Sequence, residues 1–171
     1  MTDIRLQTER LDLLPLPAAA AGALLEDRET AARLLGGTLS PSWPHDDLLD
    51  VLPLQAAAGP DEERFGIWTL IERETGTVVG DIGFRGPPGA DGTVEIGYCV
   101  IPDRRRRGFA TEAARALIEW VLRQPGVHAV VAGCDRDNVA SIRTLERLGF
   151  SRTGEANSEL RWRWNAAAST E

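Results

Sequence analysis

Residues 93–122 constrain this chain most. A β-branched run over 93–101 meets the breaker pair Pro102-Asp103, then Arg104-Arg105-Arg106-Arg107-Gly108. An alanine- and leucine-rich helical pattern follows, opening Phe109-Ala110-Thr111. Strand, tight basic turn and helix, in that order, aim a fan of backbone N–H groups and a positive helix end at one point. Such a point suits an anion, most naturally phosphate. Gly108 matters because a side chain there would keep the anion from the backbone.

The bland alternative is a solvated charged turn. Overall charge helps to decide what the arginines serve. The formal net charge is -7, so four arginines at one turn of an acidic molecule point to a local anion site. A nucleic-acid binder is expected to be basic over a whole face, and this chain is not. A P-loop phosphotransferase would need Gly-x-x-x-x-Gly-Lys-Ser/Thr, and no such run is present.

The rest of the chain frames that turn. Residues 4–16 read as a first or edge strand closed by Pro15 and Pro17. Residues 18–35 carry helical spacing, broken near Asp27-Arg28 and ended by Gly36-Gly37. Residues 38–47 read as a loop, and 48–58 as another short helix. From Phe65 the period changes to that of strands, over 65–71 and 78–84 with a turn at 74–77. Beyond the arginine turn, the helix of 108–124 puts Ala110, Ala113, Ala114, Leu117, Ile118, Val121 and Leu122 on one face. A strand over 127–134 follows, laid parallel to 93–101 by a right-handed crossover. Asp137 or Asn138 caps a further helix that ends at Gly149, and residues 150–155 and 159–165 close the fold as an antiparallel pair. Residues 166–171 read as a frayed tail. The expectation is one α/β domain over 1–171.

This order resembles the GNAT superfamily of acyl-CoA N-acyltransferases. Their signature is Gln or Arg, two variable residues, Gly, one variable residue, then Gly or Ala; Arg105, Gly108 and Ala110 match it. Thr8-Glu9-Arg10-Leu11, Glu95-Ile96-Gly97-Tyr98, Asn138-Val139-Ala140-Ser141 and Leu145-Glu146-Arg147-Leu148-Gly149-Phe150 are similar to the same family and fall in its order. They resemble most the branch of the ribosomal-protein N-terminal acetyltransferases. The resemblance implies a GNAT fold, a mixed and strongly twisted sheet splayed at its centre and flanked by helices. Acetyl-CoA is the implied cosubstrate, with its pyrophosphate on the N–H groups of Arg105, Arg106, Arg107, Gly108, Phe109, Ala110 and Thr111. It also implies pantetheine contacts from the backbone of Cys99, Val100 and Ile101 and from Asn138, and no metal.

Several residues keep two readings. Glu95 is the candidate general base for the acceptor amine, its alternative being an exposed or salt-bridged strand glutamate. Ser141 is a coenzyme contact and candidate acid for the departing thiolate, or a first-turn helix cap. The family's usual tyrosine further along that helix is missing here. Tyr98 lies in the strand instead and reads as core. Cys99 reads as structural, because no motif places a His or Asp to activate it. His45 stands where such folds build the acceptor site, or is an ordinary loop histidine. Thr8, Glu9 and Arg10 read as structural, and Arg104 as a bystander.

The acceptor amine stays open among a protein N-terminus, a polyamine and an aminoglycoside. A non-catalytic acyl-CoA sensor is the alternative function. The two cysteines lack metal spacing, and no apolar run follows Met1. The expected setting is therefore cytoplasmic, with neither membrane nor nucleic acid as partner. The chain is expected to be a monomer or a homodimer, pairing through a Leu160-Trp162-Trp164 edge.

Overall fold

The computed structural model describes residues 4–165; the tail read as frayed lies outside them. The chain runs β1 (Leu6–Gln7), β2 (Leu11–Pro15), α1 (Ala18–Glu26), α2 (Arg28–Leu35), β3 (Thr38–Leu39), α3 (Asp46–Ala56) and α4 (Pro60–Arg64). It continues β4 (Ile67–Glu72), β5 (Thr77–Phe84), β6 (Thr93–Val100), α5 (Phe109–Leu122), β7 (Ala129–Asp135), α6 (Val139–Leu148), β8 (Phe150–Ala156) and β9 (Glu159–Trp164). The strands form one mixed sheet in the order β1-β2-β4-β5-β6-β7-β9-β8, with β3 pairing parallel to β5. Among the described residues, no helix is long and apolar enough to cross a membrane.

Local chemistry explains the boundaries. The break expected near Asp27 is a helix start: its carboxylate accepts from the N–H groups of Glu29 and Thr30, and Gly36 ends α2 in the left-handed region. Gln55, 5% exposed, ties α3 to the sheet. Its amide donates to the Leu16 carbonyl at 2.8 Å and its oxygen accepts from Ile67 N–H at 3.2 Å. The long helix α5 buries Phe109, Ala113, Ala114, Leu117, Ile118, Trp120 and Val121. Trp120 meets Trp68 of β4 edge-on at 4.9 Å, so an aromatic contact fixes the helix on the sheet.

Two features matter for the site. Strands β6 and β7 are parallel, as the crossover rule requires, and pair from Thr93/Ala129 only as far as Ile96/Ala132. Beyond that the sheet opens between them. The closing antiparallel pair is present as expected, but its second strand is not the edge it was expected to be. β9, with Leu160 and Trp162 buried, lies between β7 and β8, so both its edges are already paired. It cannot join two chains as expected, because the returning chain folds β9 inward and leaves β8 outside.

Candidate active site

The arginine turn is built by backbone conformation. Pro102–Arg104 makes a single 3-10 turn, Arg105 is extended, and Arg106 (φ 64) and Gly108 (φ 79) are left-handed. The first helical bond of α5 runs from Glu112 N–H to the Gly108 carbonyl. The N–H groups of Phe109, Ala110 and Thr111 thus have no intrahelical acceptor, and no side chain caps them. They face a cavity of about 850 Å³ between α5, α6 and the open end of β6. Arg105, Arg106, Gly108, Phe109, Ala110 and Thr111 all line it.

Arg107 does not line it; it sits between the two left-handed residues and its side chain is exposed. Arg104 is tied down by Glu72 at 3.3 Å and Asp103 at 2.9 Å, which fits its reading as a bystander although its side chain reaches the cavity wall.

The opening beside β6 supplies free backbone, but not at the three residues expected. Ile101 donates its N–H to the Val79 carbonyl on β5, and the Glu95 carbonyl accepts from Arg85, also on the β5 side. In an antiparallel pair each residue directs both its backbone groups to one neighbour, and the direction alternates. Odd positions of β6, Cys99 among them, therefore serve β5. Tyr98 and Val100 face the gap, and the Val100 carbonyl already accepts from Arg105 Nε at 2.9 Å. This corrects the assignment of Cys99 and Ile101: three consecutive strand residues cannot all face one edge.

Across the gap, Asn138 caps α6, its side-chain oxygen accepting from Ser141 N–H at 3.1 Å. Ser141 Oγ lies 3.0 Å from the Tyr98 hydroxyl. Tyr98 is thus more than core: it brings a phenol from the strand to the helix position where the serine stands. Burial pushes its phenol up, only partly offset by the Ser141 hydrogen bond, so it stays protonated. Arg143, Thr144 and Arg147 of α6 also line the cavity, which the sequence reading missed. The four-residue step from Val139 through Arg143 to Arg147 was the available signal, since such positions share a helix face.

The other face of β6 differs. Glu95 lies opposite Val94, Ile96 and Val100, as alternation predicts, but both its oxygens are engaged. Arg85 Nε approaches Oε2 at 2.8 Å and Arg161 donates to Oε1 at 2.9 Å. Glu95 therefore shows the salt-bridged alternative. Burial raises the Cys99 thiol, and the Asp81 carboxylate raises it further, so it is held protonated and suits the structural reading.

A network beneath the turn accounts for Thr8 and Arg10. Glu112, in the first turn of α5, accepts from Thr8 Oγ1 at 2.5 Å, Arg10 N–H at 2.9 Å and Arg10 Nε at 2.8 Å. The Arg10 guanidinium also lies 4.4 Å over the Phe109 ring. Burial pushes the Glu112 carboxyl up, but the Thr8 and Arg10 hydrogen bonds outweigh it and the net shift is downward. A lowered carboxyl stabilises the fold above its unfolded pKa and loses that contribution as pH falls through the folded value. Glu112→Gln is expected to cost about 1–2 kcal/mol at pH 7. The difference from the unmodified protein in thermal midpoint should shrink toward zero below the carboxylate range.

Residues 10–151 match the family described as acetyltransferase (GNAT) domain. The chain belongs to the GNAT family. It is 31% identical over 150 residues to YjdG of Bacillus subtilis, an uncharacterised N-acetyltransferase, covering 86% of this chain and 89% of that one. A GNAT-family acetyltransferase from Bordetella pertussis superposes with a TM-score of 0.66 at 28% identity, covering 95% and 99% of the two chains. The microcin C7 self-immunity acetyltransferase MccE, solved with acetyl-CoA and AMP, superposes with a TM-score of 0.64 at 20% identity, covering 91% and 92%. The protein is thus a GNAT N-acetyltransferase, and the mixed sheet flanked by helices is that family's fold.

Proposed function

We propose that this GNAT protein transfers the acetyl group of acetyl-CoA to a primary amine by direct attack, without a covalent enzyme intermediate. The observation that carries the reading is the meeting, in one cavity, of an uncapped helix N-terminus with a strand edge opened by the divergence of β6 and β7. The first suits the pyrophosphate, through the N–H groups of Gly108 to Thr111 with Arg105 and Arg106 alongside. The second offers Tyr98 and Val100 to the amides of the pantetheine arm, as an added strand would use them. Arg143 and Arg147 are available to the remaining phosphate, and the Asn138 amide to the arm.

The thioester then lies near Ser141. As the acceptor nitrogen bonds to the acetyl carbon, the carbon–sulfur bond breaks and sulfur leaves with its electron pair. Ser141 protonates it, and Tyr98 re-supplies Ser141 across their 3.0 Å contact. Val100, next to the phosphate turn, serves the arm, and the N–H of Tyr98, farther along the gap and beside Ser141, would hold the oxyanion. Both cysteines are free thiols, which fits reaction in a reducing cytoplasm.

The test measures thiol release from acetyl-CoA with an alanyl-terminated peptide, spermidine and kanamycin as probe acceptors. Acetylated product from any of them supports the transferase. Tight acetyl-CoA binding with no thiol release would favour the sensor. Ser141→Ala is expected to lower kcat roughly 100-fold while the acetyl-CoA Kd stays within about threefold. Tyr98→Phe should lower kcat less, because Ser141 remains.

A further inference from the structure

The acceptor nitrogen must lose a proton as it attacks, and Glu95 is poorly suited to take it. Both its oxygens are held by arginines, and accepting a proton would cost two ion pairs. A different pair stands on the same face of the sheet. Asp81 of β5 is the register partner of Cys99, so its side chain emerges beside the strand that lines the cavity. It is 7% exposed, and among the described residues the only cationic side chain within ion-pair distance is His45, whose Nε2 lies 3.3 Å from Oδ2. Asp81 is itself oriented by the buried Trp43, whose indole N–H donates to the same oxygen at 2.9 Å.

Three segments distant in sequence thus converge beside the open end of β6. His45 remains partly exposed, at 31% of its side chain, while its buried carboxylate partner is not. Beside them, Gly97 leaves the face of β6 open: a Cβ built there meets nothing within 4 Å. The partly exposed imidazole and the open face at Gly97 thus share the face of the sheet that carries Glu95 and Cys99, opposite the one where Tyr98 meets α6.

We propose that His45, held by Asp81, is the general base that takes the proton from the acceptor nitrogen. The inference rests on the transferase reading above. In the step, the amine lone pair forms the nitrogen–carbon bond, and the nitrogen, now positively charged, passes one proton to the free imidazole nitrogen. Ser141 supplies a different proton to the departing sulfur and is refilled from Tyr98, so the products are the amide, the thiol, an imidazolium at His45 and a phenolate at Tyr98. The imidazolium then gives its proton to solvent, and Tyr98 takes one back from solvent. Asp81 is a positioning residue, fixing the ring and favouring its charged product form.

The charged groups facing His45 are Asp81 from β5 and Asp46 and Asp47 at the start of α3. The Asp81 carboxylate, 3.3 Å from Nε2, raises the imidazole most, burial opposes it, and the charges of Asp47 and Asp46 add to the rise. The base must be neutral, so kcat should fall as pH drops through a value above that of free histidine.

The experiment is the pH profile of kcat at saturating acetyl-CoA, read as thiol release. It uses the best of the three probe amines, with water as the acceptor in a parallel series. His45→Gln is expected to lower kcat by about 100-fold or more and to abolish the acid limb. His45 makes no side-chain cap to α3, so the substitution removes no cap hydrogen bond. Asp81→Asn keeps an acceptor for Trp43 and should move the acid limb to lower pH, a change that loss of packing would not produce. An unchanged limb and kcat in His45→Gln, or loss of the limb in Glu95→Gln instead, would overturn the proposal. If the unmodified protein released thiol in neither series, the transferase reading itself would fail, and this proposal with it.

Discussion

Replacing Gly108 with leucine is expected to weaken acetyl-CoA binding by about 100-fold or more. The position combines two demands. Its φ of 79° lies where a leucine is strained, at a cost of about 1–2 kcal/mol of stability. A Cβ there would also approach the Arg10 guanidinium to 3.4 Å, and that group is already held by Glu112. The larger effect falls on the ligand, because the side chain would stand over the N–H groups that receive the pyrophosphate. Hydrogen bonds to a charged group contribute about 1.5–3 kcal/mol each, so losing two accounts for the predicted factor. Calorimetric titration with acetyl-CoA measures it. Gly36→Ala is the control: φ is 69° and the space around it is open, so it carries the backbone strain alone and should leave binding unchanged. Binding of the leucine variant within threefold of the unmodified protein would sink the pyrophosphate assignment.

Trp68→Ala should have the largest effect on stability, about 3–5 kcal/mol. Trp68 is fully buried on β4, donates its indole N–H to the Arg64 carbonyl at 2.8 Å, and meets Trp120 edge-on. Phe65 adds a second ring 6.1 Å from Trp120. Truncation leaves a cavity under the C-terminal half of α5 and an unpaired carbonyl. Urea unfolding followed by far-UV circular dichroism gives the number, and Trp68→Phe should recover part of it. Acetyl-CoA affinity of the folded fraction should change little, because the N-terminal turn of α5 is held separately by Thr8 and Arg10. A loss below about 1 kcal/mol would mean that the aromatic cluster does not hold the helix.

What the sequence made legible follows from how local the signals are. The break at Asp27, the left-handed stops at Gly36 and Gly149, and the basic turn before α5 are written in a few adjacent residues, and each appears where expected. α4 was missed because its five residues, Pro60–Arg64, are almost all charged and carry no apolar period. β3, at two residues, exists only through its neighbour β5. The site divides in the same way. The phosphate turn is local and was read. The partners of Glu95 were not, since Arg161 lies 66 positions away. In the sequence Tyr98 reads as core, because an aromatic residue in a buried strand usually is. Only the fold shows that its hydroxyl reaches Ser141. His45 and Asp81, far apart along the chain, could be named singly but not as a pair.

The divergence of β6 from β7 has a bearing on cohesion as well as on binding. Four residue pairs stitch the two leaves of the sheet together, from Thr93/Ala129 to Ile96/Ala132. Past that seam, the leaf of β7, β8 and β9 diverges from β6, and α5 and α6 bridge the opening from one side. A coenzyme lying along the gap would act as mortar between the leaves, its amides taking the place of the missing ladder. Whatever free energy it gains there is added to the resistance of the whole molecule to unfolding. Supply of acetyl-CoA would then set how long each copy of the protein lasts as well as how fast it works.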